Sequence, residues 1–461
     1  MAGRVSVRRG GMKRSVMSRP ARRFRVRLLL TLVVVLALFV AACGSASEQT
    51  EDLDAQPALE QPSTEESTTA ERTIQPDLPT APLKLGLLLD FTGPLANYGQ
   101  ELLKGFELAI EHINEAGGVW GMPVETAVGD TALDPTIAVE EARRLIDVEH
   151  VHGLVGPMSS AMALAVAESV SGPAKIPTIS PVATSSQITL ADDDDFLFRV
   201  SLADRVEGRY LARLTEARGY DNVGLIYRDD AFGQGMATAF EQHWTGAIKA
   251  IGVDPRSPSF IAELEQSIEF GPQALVLISF PPETILILRE ALELGYYDQF
   301  VFGAPARAPG VSEAIGPELL AGMRGTYVAP APSNPSSEVW NRAYLDEHGT
   351  PPRLAYVKEA YDATIALALA AESARSSDGP AIRDQLRSIG ARPGLVVIPG
   401  PESLSNGLQA ARSGQEINYE GAAGVIEWDE HGDSTHGFIG IWEFTADGSI
   451  ADIEVFEYVA Q

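Results

Sequence analysis

The chain has 461 residues, of which 45% are apolar, 21% charged and 7% aromatic. That balance belongs to a globular protein and excludes a disordered chain, a collagen-like fibre and a polytopic membrane protein. The formal charge of −28 hides a sharper asymmetry: ten basic and no acidic residues occupy the first 27 positions, leaving 25 basic and 63 acidic residues and a net of −38 for the remainder. So acidic a body repels phosphate backbones, which argues against nucleic acid as a partner. The single cysteine, Cys43, excludes a disulfide scaffold and a Cys-rich metal site.

The basic stretch runs into an apolar segment, Leu28 to Ala42, broken only by Thr31. Such a run is short for crossing ~30 Å of hydrocarbon and reads as the core of a signal peptide spanning 1–42. It ends in Val40-Ala41-Ala42-Cys43-Gly44, which resembles the bacterial lipobox, where the thiol takes a diacylglyceryl group. The expectation is a lipid anchor on Cys43 at the outer face of the cytoplasmic membrane. Arg22-Arg23-Phe24 leaves twin-arginine and ordinary secretion both open. Residues 44–82 are rich in Ser, Thr, Glu, Gln and Pro and contain no aromatic residue, so they cannot bury a core. From Cys43 to 82 the chain is therefore expected to be a lipidated residue followed by a disordered acidic tether, with a root-mean-square span of ~35 Å.

From 83 onward strands and helices alternate. Leu83 to Leu89 predicts a strand ending in the turn Asp90-Phe91-Thr92-Gly93-Pro94. Leu103, Phe106, Ile110 and Ile113 recur at helical spacing and stop at Gly117-Gly118. Strands follow at 124–128, 153–155 and 176–180, with a helix from Asp134-Pro135 to about 147 and another from Ser159. The pattern restarts after Asp204, with strands at 223–227, 274–279 and 300–302 and helices at 233–245, 259–270 and 282–295. Apolar strands alternating with amphipathic helices predict an α/β protein of two doubly wound parallel-sheet lobes.

In such sheets ligands sit beyond the carboxyl ends of strands. Gly156-Pro157-Met158-Ser159-Ser160 follows one strand and Ser180-Pro181-Val182-Ala183-Thr184 the next. Serine at a helix start is often only a cap. Two hydroxyl-bearing turns at neighbouring strand ends, however, suit the carboxylate of a small ligand.

These motifs resemble the type I periplasmic solute-binding proteins, and within them the branched-chain amino acid (Leu/Ile/Val) family of ABC transporters. The stretches that carry the likeness include 91–99 (Phe-Thr-Gly-Pro-Leu-Ala-Asn-Tyr-Gly), 113–121, 156–160, 179–184, 229–235, 361–363 and 417–429. The resemblance implies two lobes joined by three hinge crossings, 83–202 with 329–437 and 203–328 with 438–461. It implies a monomer that closes on a small ligand and hands it to permease subunits of an ABC importer. A sensory lobe reporting to a membrane receptor is the alternative. Carried over, Ser160 and Thr184 hold the ligand carboxylate with Ser159 beside them, the backbone at Val182 and Ala183 takes the ammonium, and Tyr98 packs on the ligand side chain.

The second lobe departs from that pattern. Phe232 stands where family members have a tyrosine, Phe280 lies in Ser279-Phe280-Pro281-Pro282, and no acid occurs near Gly303-Ala304-Pro305. Arg307 becomes a candidate partner for a second carboxylate. The expectation from the missing acid is that leucine, isoleucine and valine bind poorly and that a ligand without a free α-ammonium binds better. No cofactor, metal or catalytic residue is expected. His431 and His436 among Asp429, Glu430 and Asp433 read as a solvated hairpin, Asp192 to Asp195 reads as a solvated loop, and no hydrolase, Walker or dinucleotide motif occurs.

Overall fold

The structure, a computed structural model, describes residues 77–460 apart from 333, 391 and 392. The signal peptide, Cys43 and the tether up to residue 76 lie outside the described residues.

Strands β1 (Lys84–Leu89), β2 (Glu125–Asp130), β3 (Gly153–Val155), β4 (Thr178–Ser180) and β5 (Leu197–Arg199) form one parallel sheet in the order β2-β1-β3-β4-β5. The leucines of β1 are buried on both faces, because crossover helices cover both sides of a parallel sheet. In the second sheet β6 (Asn222–Arg228), β7 (Ala247–Val253), β8 (Ala274–Ile278), β9 (Phe300–Phe302) and β10 (Arg324–Ala329) repeat this parallel order as β7-β6-β8-β9-β10. After a small pair, β11 (Leu395–Val397) with β12 (Ile417–Tyr419), the chain adds β13 (His436–Phe444) antiparallel to β10 and β14 (Ile450–Val459) outside it.

The chain therefore crosses between the sheets three times: after β5, after β10 and before β13. The first and last crossings are tied by a buried ion pair, Arg199 to Asp433 at 2.6 Å, and Arg205 reaches the same carboxylate at 2.8 Å. Trp428 Nε1 also donates to the Arg199 carbonyl at 2.8 Å. Charges this deep persist only when paired and hydrogen-bonded. In the first lobe the alanine-rich helix Val357–Ala374 is buried nearly all round, as a helix without a polar face must be. Helix Ala96–Glu115 lies so close to it that a Cβ on Gly105 would sit 2.1 Å from the Val357 carbonyl.

Several predicted boundaries shift. The 135–147 helix ends at Arg143 and continues as a π turn, Arg144–Val148. The 259–270 helix shortens to Ile261–Ser267. Edge strand β7 has no counterpart among the predicted elements, because its half-exposed Ala-Ile-Lys-Ala-Ile-Gly-Val lacks a sustained apolar run. The 192–195 loop is more engaged than expected of a solvated run: Asp195 pairs with Arg387 at 2.6 Å, and the Asp193 carboxylate receives the Leu197 amide at 2.7 Å. His436 lies on β13 and reaches Glu457 on β14 at 2.8 Å. No described helix is long and apolar enough to cross a membrane.

Candidate functional site

In each sheet the chain reverses direction between its first and third strands, and the crevice of such a sheet opens beyond the carboxyl ends there. The two crevices face each other across one cavity of roughly 60 Å³. From the first lobe it receives Leu95 and Tyr98 after β1, Met158 to Ser160 after β3 and Val182 to Thr184 after β4. From the second it receives Phe232 after β6, Phe280 after β8 and Ala304 and Pro305 after β9.

The first wall is polar, and its backbone holds it rigid. Ser180 Oγ donates to the Pro157 carbonyl at 2.6 Å and accepts the Ala183 amide at 2.9 Å. Ser160 Oγ accepts the amides of Thr184 and Ser185 at 3.2 and 3.1 Å. Both of its acceptor positions are then used, so its O–H can only donate, which suits an anion. Ser159 stands at the N-cap position of helix Ser160–Val166, yet its hydroxyl caps nothing: Oγ is buried without a hydrogen-bond partner. A buried hydroxyl left unpaired costs about 1–3 kcal/mol, which a ligand would recover. The Thr184 hydroxyl turns towards Asp204, whose two oxygens are themselves buried without a well-formed hydrogen bond.

The second wall is aromatic with one acid in it. Phe232 and Phe280 stack with ring centres 5.5 Å apart, and the Arg228 guanidinium lies over the Phe280 ring, 4.5 Å from its centre. Phe232 is positioned by Asp230, which caps helix Ala231–His243 through the amides of Phe232 and Gly233, both at 3.1 Å. Glu207, on helix Asp204–Ala217, reaches the same cavity at only 1% exposure. Its Oε1 accepts the Ala304 amide at 3.1 Å and the Thr326 hydroxyl at 2.9 Å, and no described residue bonds Oε2. Burial pushes this carboxyl up to about 7 despite the two hydrogen bonds that oppose the shift. The lobes also touch beside the cavity, where Ser185 Oγ donates to the Ala231 carbonyl at 2.7 Å.

The model of a family described as periplasmic binding protein matches residues 82–406. The chain belongs to the periplasmic binding protein family. This is a family of periplasmic proteins that bind small molecules. Among curated relatives, the Leu/Ile/Val-binding protein homolog 7 of Brucella abortus is 26% identical over 338 residues, 69% of this chain and 84% of that protein. The leucine-binding protein LivK of Thermotoga maritima aligns with a TM-score of 0.69 and 26% identity over 81% of this chain and 98% of its own. A solute-binding protein of Rhodopseudomonas palustris, solved with 3,4-dihydroxybenzoic acid, aligns with a TM-score of 0.64 at 21% identity, over 82% of this chain and 98% of its own. The type I fold and the branched-chain likeness read from the motifs are those of these relatives.

For a member of this family, the structure gathers Tyr98, Ser159, Ser160, Val182, Ala183, Thr184, Phe232 and Phe280 at one cavity. Arg307 lies outside it. Its guanidinium pairs with Asp452 at 2.8 Å, stacks 4.3 Å from the Tyr327 ring and lines a neighbouring cavity, with Tyr356 in the wall of both. Its charge still acts on Tyr98, opposing the burial that pushes that phenol up to about 12. One premise of the sequence reading is corrected: the second wall does carry an acid. Glu207 arrives from a helix rather than a strand end, and it hydrogen-bonds to the very Ala304 amide where an acid was sought. Its spacing to Leu211 and Leu214 on the buried helix face is the signal that could have found it.

Proposed function

We propose that this chain is a lipid-anchored solute-binding protein that captures a small carboxylate-bearing molecule and delivers it to an ABC importer. The observation that carries this reading is the first wall. Ser159 Oγ is buried without a partner, Ser160 Oγ is already saturated as an acceptor, and both line the cavity with a hydroxyl hydrogen left to donate. Ser160 Oγ, held by two backbone amides, needs no reordering when an anion arrives, and hydrogen bonds to a charged group contribute about 1.5–3 kcal/mol each. Closure follows because contacts to both lobes exist together only when the cleft is shut, so ligand shifts the population towards that state. Anchoring by Cys43 would keep the protein within ~35 Å of the membrane in which a permease sits, through its tether.

A second reading, an aromatic acid without an amino group, is favoured by the stacked Phe232–Phe280 pair, which offers a flat apolar face to a ring. Calorimetric titration with L-leucine, L-phenylalanine, benzoate and their primary amides tests the common element. Carboxylates should bind at least tenfold more tightly than the amides, and equal affinity would remove the carboxylate from the reading. For the anchor, Cys43→Ser should release the protein from membranes, since a lipid chain supplies the strong attachment. Full retention of that variant in the membrane fraction would refute the lipobox.

A further inference from the structure

We infer that Glu207 is the residue that selects an α-amino acid over a plain carboxylic acid, its free oxygen receiving the ligand ammonium across the cleft from the serines. The inference rests on the carboxylate reading above and narrows it to one head group. Three observations carry it. Glu207 is the acidic member of the cavity lining, and it is almost wholly buried. Its Oε1 is pinned by the Ala304 amide and the Thr326 hydroxyl, which fixes the carboxylate and leaves Oε2 for the cavity. Across the cleft stands Ser159, buried as well, its Oγ without a hydrogen-bond partner. Donors on one wall and an acceptor on the other match the two ends of a zwitterion.

The alternative occupants fit this arrangement worse. A plain carboxylate would leave Oε2 unpaired in an apolar pocket, so Glu207 would have to stay protonated. An ammonium converts the same burial from a penalty into a paired charge. Around Glu207 the other titratable groups are Asp204, one turn earlier on its helix, and the phenols of Tyr98 and Tyr356, which line the same cavity. None of these supplies a cation, and no Lys or Arg lines the cavity. A positive charge that pairs with ionised Glu207 therefore comes with the ligand. This reverses the expectation, drawn from the missing acid near Pro305, that branched-chain amino acids are poor ligands.

The test uses matched pairs that differ only in the amino group: L-leucine with 4-methylpentanoate, and L-phenylalanine with 3-phenylpropanoate. Wild-type protein should bind the amino acid of at least one pair tenfold or more tightly than its deaminated partner. Glu207→Gln keeps the shape and can still accept from Ala304 and Thr326, but presents an amide donor to the ammonium. It should lower that ratio at least tenfold. A ratio unchanged in the variant, or a wild type that favours the deaminated acids, overturns the inference while leaving the carboxylate reading intact. Binding of neither member of either pair overturns both. If the variant melts before it can be titrated, the wild-type ratio decides alone, and it should fall as pH is lowered from 8 to 6.

Discussion

The two walls of the cleft acquire their polar groups by different routes. In the first lobe, hydroxyls sit in turns at strand ends, and that of Ser160 is braced by backbone amides of the neighbouring turn. In the second, aromatic rings occupy the matching turns, and the single acid is lent by the helix that follows the hinge crossing. Each wall obeys the same sheet topology, β2-β1-β3-β4-β5 against β7-β6-β8-β9-β10, so topology alone does not decide what a wall can bind. The difference teaches that a polar head group can be recognised by symmetric scaffolds carrying unsymmetric chemistry.

The largest expected effect tests whether the first wall is one cross-braced unit. Ser160→Ala removes the acceptor of two buried amides, Thr184 N and Ser185 N, as well as a donor to the ligand. Unfolding stability should drop by about 2–3 kcal/mol, and carboxylate affinity by tenfold or more. Ser159→Ala is the sharper contrast. Its hydroxyl holds nothing in the empty protein, so stability should stay level or rise slightly, while affinity falls by about 1.5–3 kcal/mol. If thermal melts and titrations gave both serines the same profile, the distinction between brace and ligand contact would fail.

How much of this was legible in the sequence follows the same division. The first wall could be read because short apolar strands ending in Gly156-Pro157 and Ser180-Pro181 announce their own carboxyl ends, and two neighbouring hydroxyl-bearing turns are more than helix capping requires. Phe232 and Phe280 were legible for the same reason. Glu207 was not, because one acid among 63 on an amphipathic helix looks like part of a solvated face. Only its register with Leu211 and Leu214 sets it apart, and register becomes decisive once the helix is known to pack on β10. Arg307 failed in the opposite sense: a cation two residues from Pro305 looked available, but Asp452 on β14, 145 positions later in the chain, takes it up. Pairings over such separations leave no local trace.

The next prediction sharpens the second wall by pH. Glu207 is pushed up to about 7 by burial, so in the empty protein it is largely protonated below that pH and ionised above it. Ammonium binding needs the ionised form. Affinity for an amino acid should therefore be level above about pH 7.5 and decline below 7, approaching tenfold per pH unit in acid. Near pH 6.5, binding should release a proton, which calorimetry in buffers of different ionisation enthalpy would register. Asp204, also held up by burial, to about 8, titrates with it, so the observed midpoint belongs to the pair. A flat profile from pH 8 to 5.5 would separate Glu207 from the bound charge.

The smallest effect concerns what both walls share. Ser185 Oγ donates to the Ala231 carbonyl from one lobe to the other, at 2.7 Å, outside the ligand cavity. A bond between the lobes stabilises the closed state alone, and it does so whatever head group is bound. Ser185→Ala should therefore weaken every ligand by the same factor, about two- to tenfold, corresponding to roughly 0.5–1.5 kcal/mol for one neutral hydrogen bond. The Gln187 amide, which Ser185 Oγ also accepts, sits at an exposed position where water can replace the hydroxyl, so stability should change little. Titrating the two matched acid pairs against this variant gives the control that Glu207→Gln lacks: affinities fall together and their ratio holds. Should the ratio shift in Ser185→Ala as well, discrimination would lie in how far the cleft closes rather than in the acid on its second wall.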